Sequence, residues 1–392
     1  MIPLSVPIFN GNEWKYVKRC LDSGWVSTAG EYVTHFEASL ARYIGRRYAV
    51  ACMNGTSALH IALLVAGLKP EEEVIVPALT FVAPANAVKY AGGYPVFIDV
   101  DPHYGQMDMD KLETFLVKEC VRCSRQLINR HTRRRVRAIL PVHLLGHPVD
   151  MDRLRVLARR FDLPVIEDVA ESLGAQYKER KVGHHGLVSC FSFNGNKVIT
   201  AGGGGMILTD DERLARQARY LTTQAKDDPL EYIHRTIGYN YRLSNLHAAV
   251  GLAQMEQLEK HLQRKRAIAA AYTRLLLGIE GLRLPQQAPW AKSIFWLFTI
   301  GVHAKQYGAS SRQLLAYLYQ RGVETRSLWC PLPKLNYFKD CYAYQVIEAL
   351  RWHVEGLSLP SSVSLTYPQQ VKIAELISKG RKKWLRPSNR QN

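Results

Sequence analysis

One lysine lies in a sequence setting that is unusual for a surface lysine. Lys197 follows the apolar run at 187–193 and precedes four consecutive glycines at 202–205. A lysine amine can form a Schiff base when partial desolvation lowers its pKa and leaves it nucleophilic near neutral pH. The glycines would let the backbone approach a cofactor closely. A solvated charge is the usual state of any single lysine, so it is the neighbouring residues that favour chemistry here.

Asp168 is a second candidate because it follows the apolar run at 163–167. In open α/β sheets, ligands bind at the carboxyl ends of the strands. A carboxylate at that place could pair with a protonated ring nitrogen, accept a proton or hold a metal ion. Capping of a helix N-terminus is the more common role of an isolated Asp and stays open as the alternative.

A phosphate site and an aromatic ring complete this set. The segment at 54–57 ends a predicted strand and opens a helix, so its N–H groups and the hydroxyls of Thr56 and Ser57 could bind a phosphate. A Ser/Thr helix cap explains the same segment equally well. Phe81 follows the apolar run at 73–76 and could stack on a planar cofactor or pack in the core. A lysine, an acid, an aromatic ring and a phosphate site are together what pyridoxal phosphate (PLP) requires.

Two further pairs of residues have a spacing that is found in metal sites. His143 and His147 are four residues apart, but a glycine and a proline beside His147 argue against the helix that would bring the two rings together. Cys120 and Cys123 form a C-x-x-C pair, and no second such pair follows. We therefore expect no metal site, and His143, at a strand end, could instead line a substrate pocket.

Short apolar runs alternate with amphipathic segments through the first 250 residues. The predicted strands are 47–52, 73–76, 94–100, 136–142, 163–167, 187–193 and 206–209, and the predicted helices between them are 57–67, 83–90, 109–119 and 151–161. This alternation predicts an α/β fold with a mostly parallel sheet and helices on both faces. We expect a large domain over 1–250, a long helix at 243–277, and a smaller α/β domain over 251–392 on which the first residues pack.

The C-terminal part gives weaker patterns, which predict a strand at 295–302 and helices at 311–321 and 367–379. The segment 381–385 looks unstructured and is expected to be part of a solvated tail.

The net charge is the most unusual feature of the composition. Lys and Arg number 52 against 34 Asp and Glu, which gives a formal charge of +18. Most of the excess lies in the arginine-rich segment 118–137 and in the tail at 379–392, both outside the candidate motifs. A basic balance is typical of proteins that bind nucleic acid, anionic membranes or anionic substrates. Because the charges avoid the motifs, we expect no nucleic-acid partner and assign the arginines of 118–137 to attraction of an anionic substrate.

The cellular setting is read from the cysteines and the apolar segments. Seven cysteines are scattered along the chain, which favours free thiols in a reducing cytoplasm. No signal peptide and no apolar run of membrane-spanning length is recognised, so we expect a cytoplasmic protein without stable membrane insertion.

In their order and spacing, several segments resemble the DegT/DnrJ/StrS family of PLP-dependent sugar aminotransferases, which have the aspartate aminotransferase fold (fold type I). The resemblance extends from about residue 2 to residue 379. The matching segments are 54–59, 77–86, 97–101, 141–150, 165–168, 191–205 and 238–249.

The resemblance implies a role for each matching position. Lys197 would bind PLP and carry protons, and Asp168 would pair with the pyridine nitrogen. Many members of the family have Gln where this chain has Glu171. The residues that would contact the cofactor are Thr56, Ser57 and Ser192 at the phosphate, Phe81 and Ala170 on the two ring faces, Glu171 and Asn194 nearby, and Asn240 at the phosphate of the neighbouring subunit. The resemblance therefore implies a homodimer with shared active sites.

The segments 2–7, 14–17 and 24–27 and the arginine-rich stretch before 138–143 resemble the subgroup that aminates 4-keto sugars on the bacillosamine and legionaminic acid routes. This implies a UDP-linked 2-acetamido-4-keto-6-deoxyhexose as acceptor and glutamate as donor, for surface glycan or nonulosonic acid biosynthesis. A 3-keto sugar and a GDP- or dTDP-linked sugar stay open. A PLP-fold regulator that binds nucleic acid is disfavoured, because the aminotransferase pattern begins by residue 2. Arg326, Trp329 and His143 are the candidates for contact with the sugar.

Overall fold

The computed structural model describes residues 1–124, 126–228 and 230–385. The α-helices of these residues are α1 (Glu13–Ser23), α2 (Glu31–Ile44), α3 (Gly55–Val65), α4 (Ala83–Tyr90), α5 (Met109–Thr114), α6 (Met151–Phe161), α7 (Glu212–Thr222), α8 (Asn245–Met255), α9 (Leu258–Leu276), α10 (Ala304–Tyr307), α11 (Ser311–Tyr319), α12 (Glu348–Glu355) and α13 (Tyr367–Leu385). Within the described ranges, no helix is both long enough and apolar enough to cross a membrane.

Most of the strands are short, with at most five residues. They are β1 (Tyr48–Cys52), β2 (Glu73–Pro77), β3 (Tyr94–Ile98), β4 (Cys120–Cys123), β5 (Gln126–Asn129), β6 (Arg135–Ile139), β7 (Ile166–Asp168), β8 (Gln176–Tyr177), β9 (Arg180–Lys181), β10 (Val188–Ser192), β11 (Gly205–Thr209), β12 (Leu282–Arg283), β13 (Ala291–Lys292), β14 (Phe298–Val302), β15 (Arg326–Ser327), β16 (Ala343–Tyr344) and β17 (Gly356–Leu359).

The longer strands of the first 210 residues build one central mixed sheet. Strands β1, β11, β10 and β7 pair in that order, and β16, β3, β2 and β6 form a second set. Two parallel bridges, Ile139 with Val165 and Val142 with Asp168, join β6 to β7 and so connect the two sets. Strand β11 runs antiparallel to both of its neighbours, whereas β7, β6, β2, β3 and β16 are parallel. The predicted α/β class with a mostly parallel sheet is confirmed.

Helices cover both faces of the central sheet because its strands are apolar on both sides. Side chains alternate between the two faces along a strand. In β1, Ala49 and Ala51 pack in a core with residues of α2, α6 and α8, whereas Val50 and Cys52 pack in a second core with residues of α3, α4 and α7. Such two-sided burial is typical of parallel sheets in α/β proteins.

A third apolar core lies in the C-terminal part of the chain. It gathers residues of α9, α11 and α13 around the small antiparallel sheet β12-β14-β17-β15. The N-terminus reaches this part, since Ile2 N–H donates to the carbonyl of Gly322 at 2.7 Å. Strand β16 of the same C-terminal part joins the edge of the central sheet. A domain boundary near residue 250 therefore stays a prediction.

Two predictions about helices were wrong. The predicted helix at 243–277 is divided into α8 and α9 at Glu256 and Gln257. The apolar period continues across this break and neither residue is Gly or Pro, so the sequence carries no signal for it. The segment 381–385, expected in a solvated tail, instead forms the end of α13, where the Trp384 ring packs 5.3 Å from the ring of Tyr317. Arg386 and Arg390 lie outside the described residues.

The arginine-rich segment 118–137 forms the hairpin β4–β5, which leads into β6; Arg125 lies outside the described residues. The hairpin pairs with the start of β6, where Val136 lies beside Glu73, the first residue of β2. Val142, six residues further along the chain, pairs with Asp168. Six residues of strand span about 20 Å, so the hairpin lies at the amino end of these parallel strands, away from Asp168.

Several arginines of this segment are engaged by neighbouring groups. The guanidinium of Arg134 lies 3.6 Å from the centroid of the Tyr94 ring. Arg135 pairs with Glu72 at 3.2 Å, and Arg137 donates to the carbonyl that ends α3. Their location and their contacts do not support the expectation that this segment attracts an anionic substrate to the site at Asp168.

The contact between α2 and α8 gives a test of the packing. Gly251 of α8 faces Phe36 of α2, and a Cβ atom at position 251 would lie 2.6 Å from that buried ring. We expect Gly251→Ala to lower the free energy of unfolding by about 1 kcal/mol, because overpacking outweighs the gain in helix propensity. Urea unfolding measures the change.

The matched control is the double variant Gly251→Ala with Phe36→Leu, compared with each of the two single variants. If the predicted collision occurs, the double variant loses less stability than the sum of the two single variants. A stabilised Gly251→Ala protein, or strictly additive losses, would contradict the packing.

Candidate active site

The carboxyl ends of β2, β6, β7 and β10 meet at one edge of the central sheet. Cys190 of β10 lies beside Asp168 of β7, and Asp168 in turn pairs with Val142 beyond β6. Ser192 ends β10, and Phe81 follows the end of β2 by four residues. The parallel register thus brings residues from distant parts of the sequence to the same edge, where α/β proteins bind ligands.

The start of α3 presents hydroxyl groups that are free to bind an anion. Asn54 caps this helix, since its side chain accepts a hydrogen bond from Ser57 N–H at 2.8 Å. Capping by Thr56 or Ser57 is therefore wrong as an explanation of the segment. Among the described residues, no partner accepts or donates a hydrogen bond at the hydroxyls of Thr56, Ser57 or Ser192. A helix N-terminus with free hydroxyls fits a phosphate group.

Glycine at position 55 allows the hydroxyls of Thr56, Ser57 and Ser192 to lie close together. A Cβ atom there would lie 2.9 Å from the Cβ of Ser192 and 3.3 Å from its hydroxyl oxygen. Any side chain at position 55 would push α3 and the end of β10 apart. The close approach therefore brings Ser192 beside Thr56 and Ser57.

Asp168 is a buried carboxyl group with one engaged oxygen. Its side chain is almost inaccessible, and its Oδ1 accepts a hydrogen bond from the N–H of Ala170 at 2.9 Å. Burial raises the pKa of Asp168, while this hydrogen bond and the charge of Lys197 act in the opposite direction. Oδ2 accepts no hydrogen bond from the described residues. A carboxylate with a free oxygen fits a protonated ring nitrogen, which would favour the charged form.

Lys197 lies on the turn that follows β10, beside an aromatic ring. Its Nζ lies 4.2 Å from the centroid of the Trp296 ring. Burial lowers the pKa of the Lys197 amine, and the carboxyl groups of Glu171 and Asp168 partly oppose this effect. The amine is therefore more easily deprotonated than that of an ordinary lysine, as a nucleophile or a proton carrier requires.

Glu171 is the second acid near Lys197. Its Oε2 accepts a hydrogen bond from the N–H of Leu145 at 2.8 Å, and its side chain is buried. Burial raises the pKa of Glu171 to about 7, against the opposing charge of Lys197. A carboxyl group with this pKa can hold or release a proton at neutral pH, which a Gln at the same position cannot do.

His143 does not line an open pocket, and that expectation is corrected. Its ring is fully buried, Nδ1 accepts a hydrogen bond from the N–H of Val149, and Nε2 lies 3.1 Å from Oε2 of Glu167. Although burial alone would raise it, the contact with His143 and the N–H groups around the carboxylate hold the pKa of Glu167 at about 2. The His143–Glu167 pair supports the strand end from inside, because His143 N–H donates to the carbonyl of Asp168 at 3.1 Å.

The remaining candidates lie in more open places. Phe81 is 51% exposed, which leaves a ring face open to a ligand. Asn194 is exposed, and its carbonyl accepts a hydrogen bond from Lys197 N–H. Asn240 is exposed on the loop before α8. The roles of these residues stay predictions.

The two sugar-contact candidates in the C-terminal part are not brought to this cluster by any described contact. Arg326 is exposed on β15, 3.8 Å from the carboxylate of Glu324. Trp329 is partly buried and packs against both cores of the central sheet. Trp296 is the residue beside Lys197 that no local sequence pattern singles out, because it lies 99 residues further along the chain.

Comparison with known proteins agrees with this geometry. The model of the DegT/DnrJ/EryC1/StrS aminotransferase family matches residues 7–378, so the chain belongs to this family. It is 38% identical to the GDP-perosamine synthase of Caulobacter vibrioides over 93% of this chain and 94% of that protein. It is 37% identical to the GDP-perosamine synthase of Escherichia coli O157:H7 over 96% and 98% of the two chains.

Solved structures give the same result for the fold. A DegT/DnrJ/EryC1/StrS aminotransferase from Brucella abortus superposes with a TM-score of 0.85 at 28% identity, over 94% of this chain and 95% of that one. The fold is that of the fold type I PLP enzymes. The chain is a PLP-dependent sugar aminotransferase, and the predicted family, enzyme class and cofactor are confirmed.

The raised pKa of Glu171 gives a prediction for the protein without cofactor. The folded state binds the Glu171 proton more tightly than the unfolded chain, so this group destabilises the fold increasingly as the pH rises from about 4.5 to about 7. Glu171→Gln keeps an acceptor for Leu145 N–H and removes the titration. We expect its advantage in unfolding free energy over the native chain to grow by up to about 3 kcal/mol between pH 5 and pH 8.

Urea unfolding of both proteins at a series of pH values measures this difference. Comparison with Glu171→Gln cancels the titration of the groups that do not interact with Glu171 and leaves the combined titration of Glu171 and its neighbours Lys197 and Asp168. A difference that does not change with pH would mean that Glu171 titrates normally.

Proposed function

We propose that this chain transfers an amino group from glutamate to the 4-keto group of a nucleotide-linked 4-keto-6-deoxy sugar. The observation that carries the proposal is the placement of the Lys197 amine beside the carboxyl groups of Asp168 and Glu171 at the sheet edge. The hydroxyls of Thr56, Ser57 and Ser192 lie at the same edge. This arrangement supports PLP with its phosphate at the start of α3 and its ring nitrogen at Asp168.

The bound cofactor supplies an electron sink that stabilises negative charge on the substrate carbon next to nitrogen. The side chains of the protein then position the cofactor and the substrates and transfer protons. Lys197 Nζ removes a proton from the amino donor and later returns one to the sugar carbon, which its lowered pKa makes feasible. The carboxylate of Asp168 keeps a proton on the ring nitrogen. Glu171, beside Lys197, can hold a second proton at neutral pH.

Two observations point to different nucleotides on the sugar: short segments of the sequence favour UDP, and the full-length relatives favour GDP. The sequence segments at 2–7, 14–17 and 24–27 favour the UDP-linked 2-acetamido-4-keto-6-deoxyhexose of the bacillosamine and legionaminic acid routes. Two of the relatives, in contrast, are GDP-perosamine synthases that match nearly their whole length. A GDP-linked keto sugar is therefore the second candidate.

We also propose that the protein is a homodimer, in which Asn240 reaches the site of the second copy. The segment that leads to Asn240 exposes large apolar side chains, with Leu230 at 85%, Tyr232 at 68% and Ile237 at 79% exposure. Several large apolar side chains exposed within one short segment favour an interaction surface. A second copy is the occupant that the family resemblance favours.

The substrate is tested with a panel of UDP-, GDP- and dTDP-linked 4-keto-6-deoxy sugars, each incubated with glutamate and the purified protein. We expect one nucleotide class to gain the mass that corresponds to exchange of the carbonyl oxygen for an amino group and hydrogen. Lys197→Ala should abolish both this product and the visible absorption band of the lysine-bound cofactor, because no other amine replaces Lys197 Nζ.

Lys178→Ala, at an exposed position, is the control and should keep both signals. Conversion of glutamate without amination of any 4-keto sugar would reject the sugar class while leaving the enzyme class intact.

The dimer is tested by Ile237→Asp, which places a charge in the exposed apolar segment. Light scattering should show a smaller particle than the native protein at the same concentration, because burial of the charge is costly. Val156→Asp, at an exposed apolar residue of α6, is the matched control and should leave the particle mass unchanged. An unchanged mass in both variants would contradict this interface.

A further inference from the structure

A fully buried lysine lies near the loop that carries Lys197, which is itself only partly buried. Lys265 of α9 is 2% exposed, and its Nζ donates to the carbonyls of Trp296 at 2.7 Å and of Ser361 at 2.5 Å. Among the described residues, no carboxylate pairs with this ammonium group. Burial lowers the pKa of Lys265 to about 7. An apolar side chain of similar length would fill the space without burying a charge, so the reason for a lysine must lie in the groups it holds.

One of these groups is the residue that faces the cofactor lysine. The Trp296 indole N–H donates to the carbonyl of Asn196, the residue before Lys197, at 2.8 Å. The same ring lies under Lys197 Nζ. The Trp296 backbone N–H donates to the carbonyl of Leu145, whose own N–H binds Glu171. Trp296 therefore contacts both sides of the Lys197–Glu171 pair.

The other group belongs to the C-terminal part of the chain. Ser361 follows β17 of the small sheet, and its hydroxyl accepts a hydrogen bond from Phe298 N–H of β14. Lys265 thus joins three segments: α9, the chain at Trp296 and the chain after β17. A shift of any one of them would be transmitted to the ring below Lys197.

Other contacts also hold the Lys197 loop, but they do not link it to Trp296 and the C-terminal sheet as Lys265 does. Ser5 Oγ donates to the carbonyl of Asn196 at 3.1 Å, and the Gln254 side chain accepts from Thr200 N–H at 3.3 Å. His261 Nδ1 lies 3.3 Å from the carbonyl of Val198. His261 is also the titratable group whose pKa responds to the charge of Lys265, whereas Glu171 and Asp168 are the acids that act on Lys197.

We propose that Lys265 is a positioning residue for the cofactor lysine, because the hydrogen bonds donated by Lys265 Nζ hold the Trp296 ring against the amine of Lys197. The inference rests on the assignment of Lys197 as the lysine that binds PLP. Through Trp296, Lys265 fixes the direction of the Lys197 amine and keeps a cation-stabilising ring face beside it. It touches neither substrate nor cofactor.

The test uses the reconstituted enzyme without any sugar and follows the visible band of the lysine-bound cofactor as a function of pH. Lys265→Met removes both hydrogen bonds and keeps the side-chain length. We expect the midpoint of the titration to fall by about half a pH unit or more, because the cationic form loses the ring face. The rate constant of the half-reaction with glutamate, followed by the loss of the same band in a single turnover, should fall by about tenfold, with little change in the glutamate concentration that gives half of the maximal rate.

Tyr272→Phe is the matched control. Tyr272 lies on the same helix, is fully buried, and donates to the carbonyl of Pro360 beside Ser361, but among the described residues it makes no hydrogen bond with Trp296. It should lower the stability and leave the midpoint of the titration unchanged. An unshifted midpoint in Lys265→Met would overturn the inference and make Lys265 a stabilising residue only.

Trp296→Leu covers the case in which Lys265→Met does not fold. It keeps the backbone carbonyl that Lys265 binds and removes the ring, so the same fall of the midpoint is expected, and no shift would overturn the inference. Lys197→Ala separates the two assignments. A band that persists in Lys197→Ala would overturn the inference together with the assignment of Lys197, whereas loss of that band with an unshifted Trp296→Leu would overturn the inference alone.

Discussion

The interaction on which the site depends is the one between the partly buried amine of Lys197 and the two buried carboxyl groups of Asp168 and Glu171. Burial lowers the pKa of Lys197 and raises those of Asp168 and Glu171, while the opposite charges of the three groups resist both changes. All three pKa values are therefore shifted toward the neutral form of the group, and that of Glu171 reaches about 7. A side chain that transfers protons works best when its pKa lies near the working pH. The fold shifts the pKa values of these three side chains by partly or fully removing them from water.

The central sheet supplies this burial by its parallel register. Asp168 lies at the end of β7, between the ends of β6 and β10, and each neighbouring strand contributes a further part of the site. Close approach of the backbone is the second requirement. Gly205, the first residue of β11, lies so near the start of α3 that a Cβ atom there would be 2.3 Å from the carbonyl oxygen of Asn54. Gly205 thus permits the contact between β11 and the start of α3.

The strands and the residues at their ends could be predicted because their signals are local. An apolar run of four to seven residues followed by Asp168 or by the Lys197 turn identifies both the strand and the candidate site. The helix break at Glu256 has no such signal, and neither has the packing of Trp384, since tertiary contacts decide both. Trp296 and Lys265 were missed for the same reason. His143 was misplaced because a strand-end position does not reveal which side of the sheet the ring enters.

The positive charge illustrates the limit of composition as a guide. Arg134, Arg135 and Arg137, which follow the β4–β5 hairpin, contact a ring, an acid and a carbonyl at the amino end of the sheet, so a basic stretch of sequence does not by itself mark the ligand-binding edge. The chemistry proposed for this protein depends instead on one amine, that of Lys197. Borohydride reduction of the holoenzyme, followed by peptide mass mapping, should place the cofactor mass on the peptide that contains Lys197. A label on another lysine, or on none, would contradict this account.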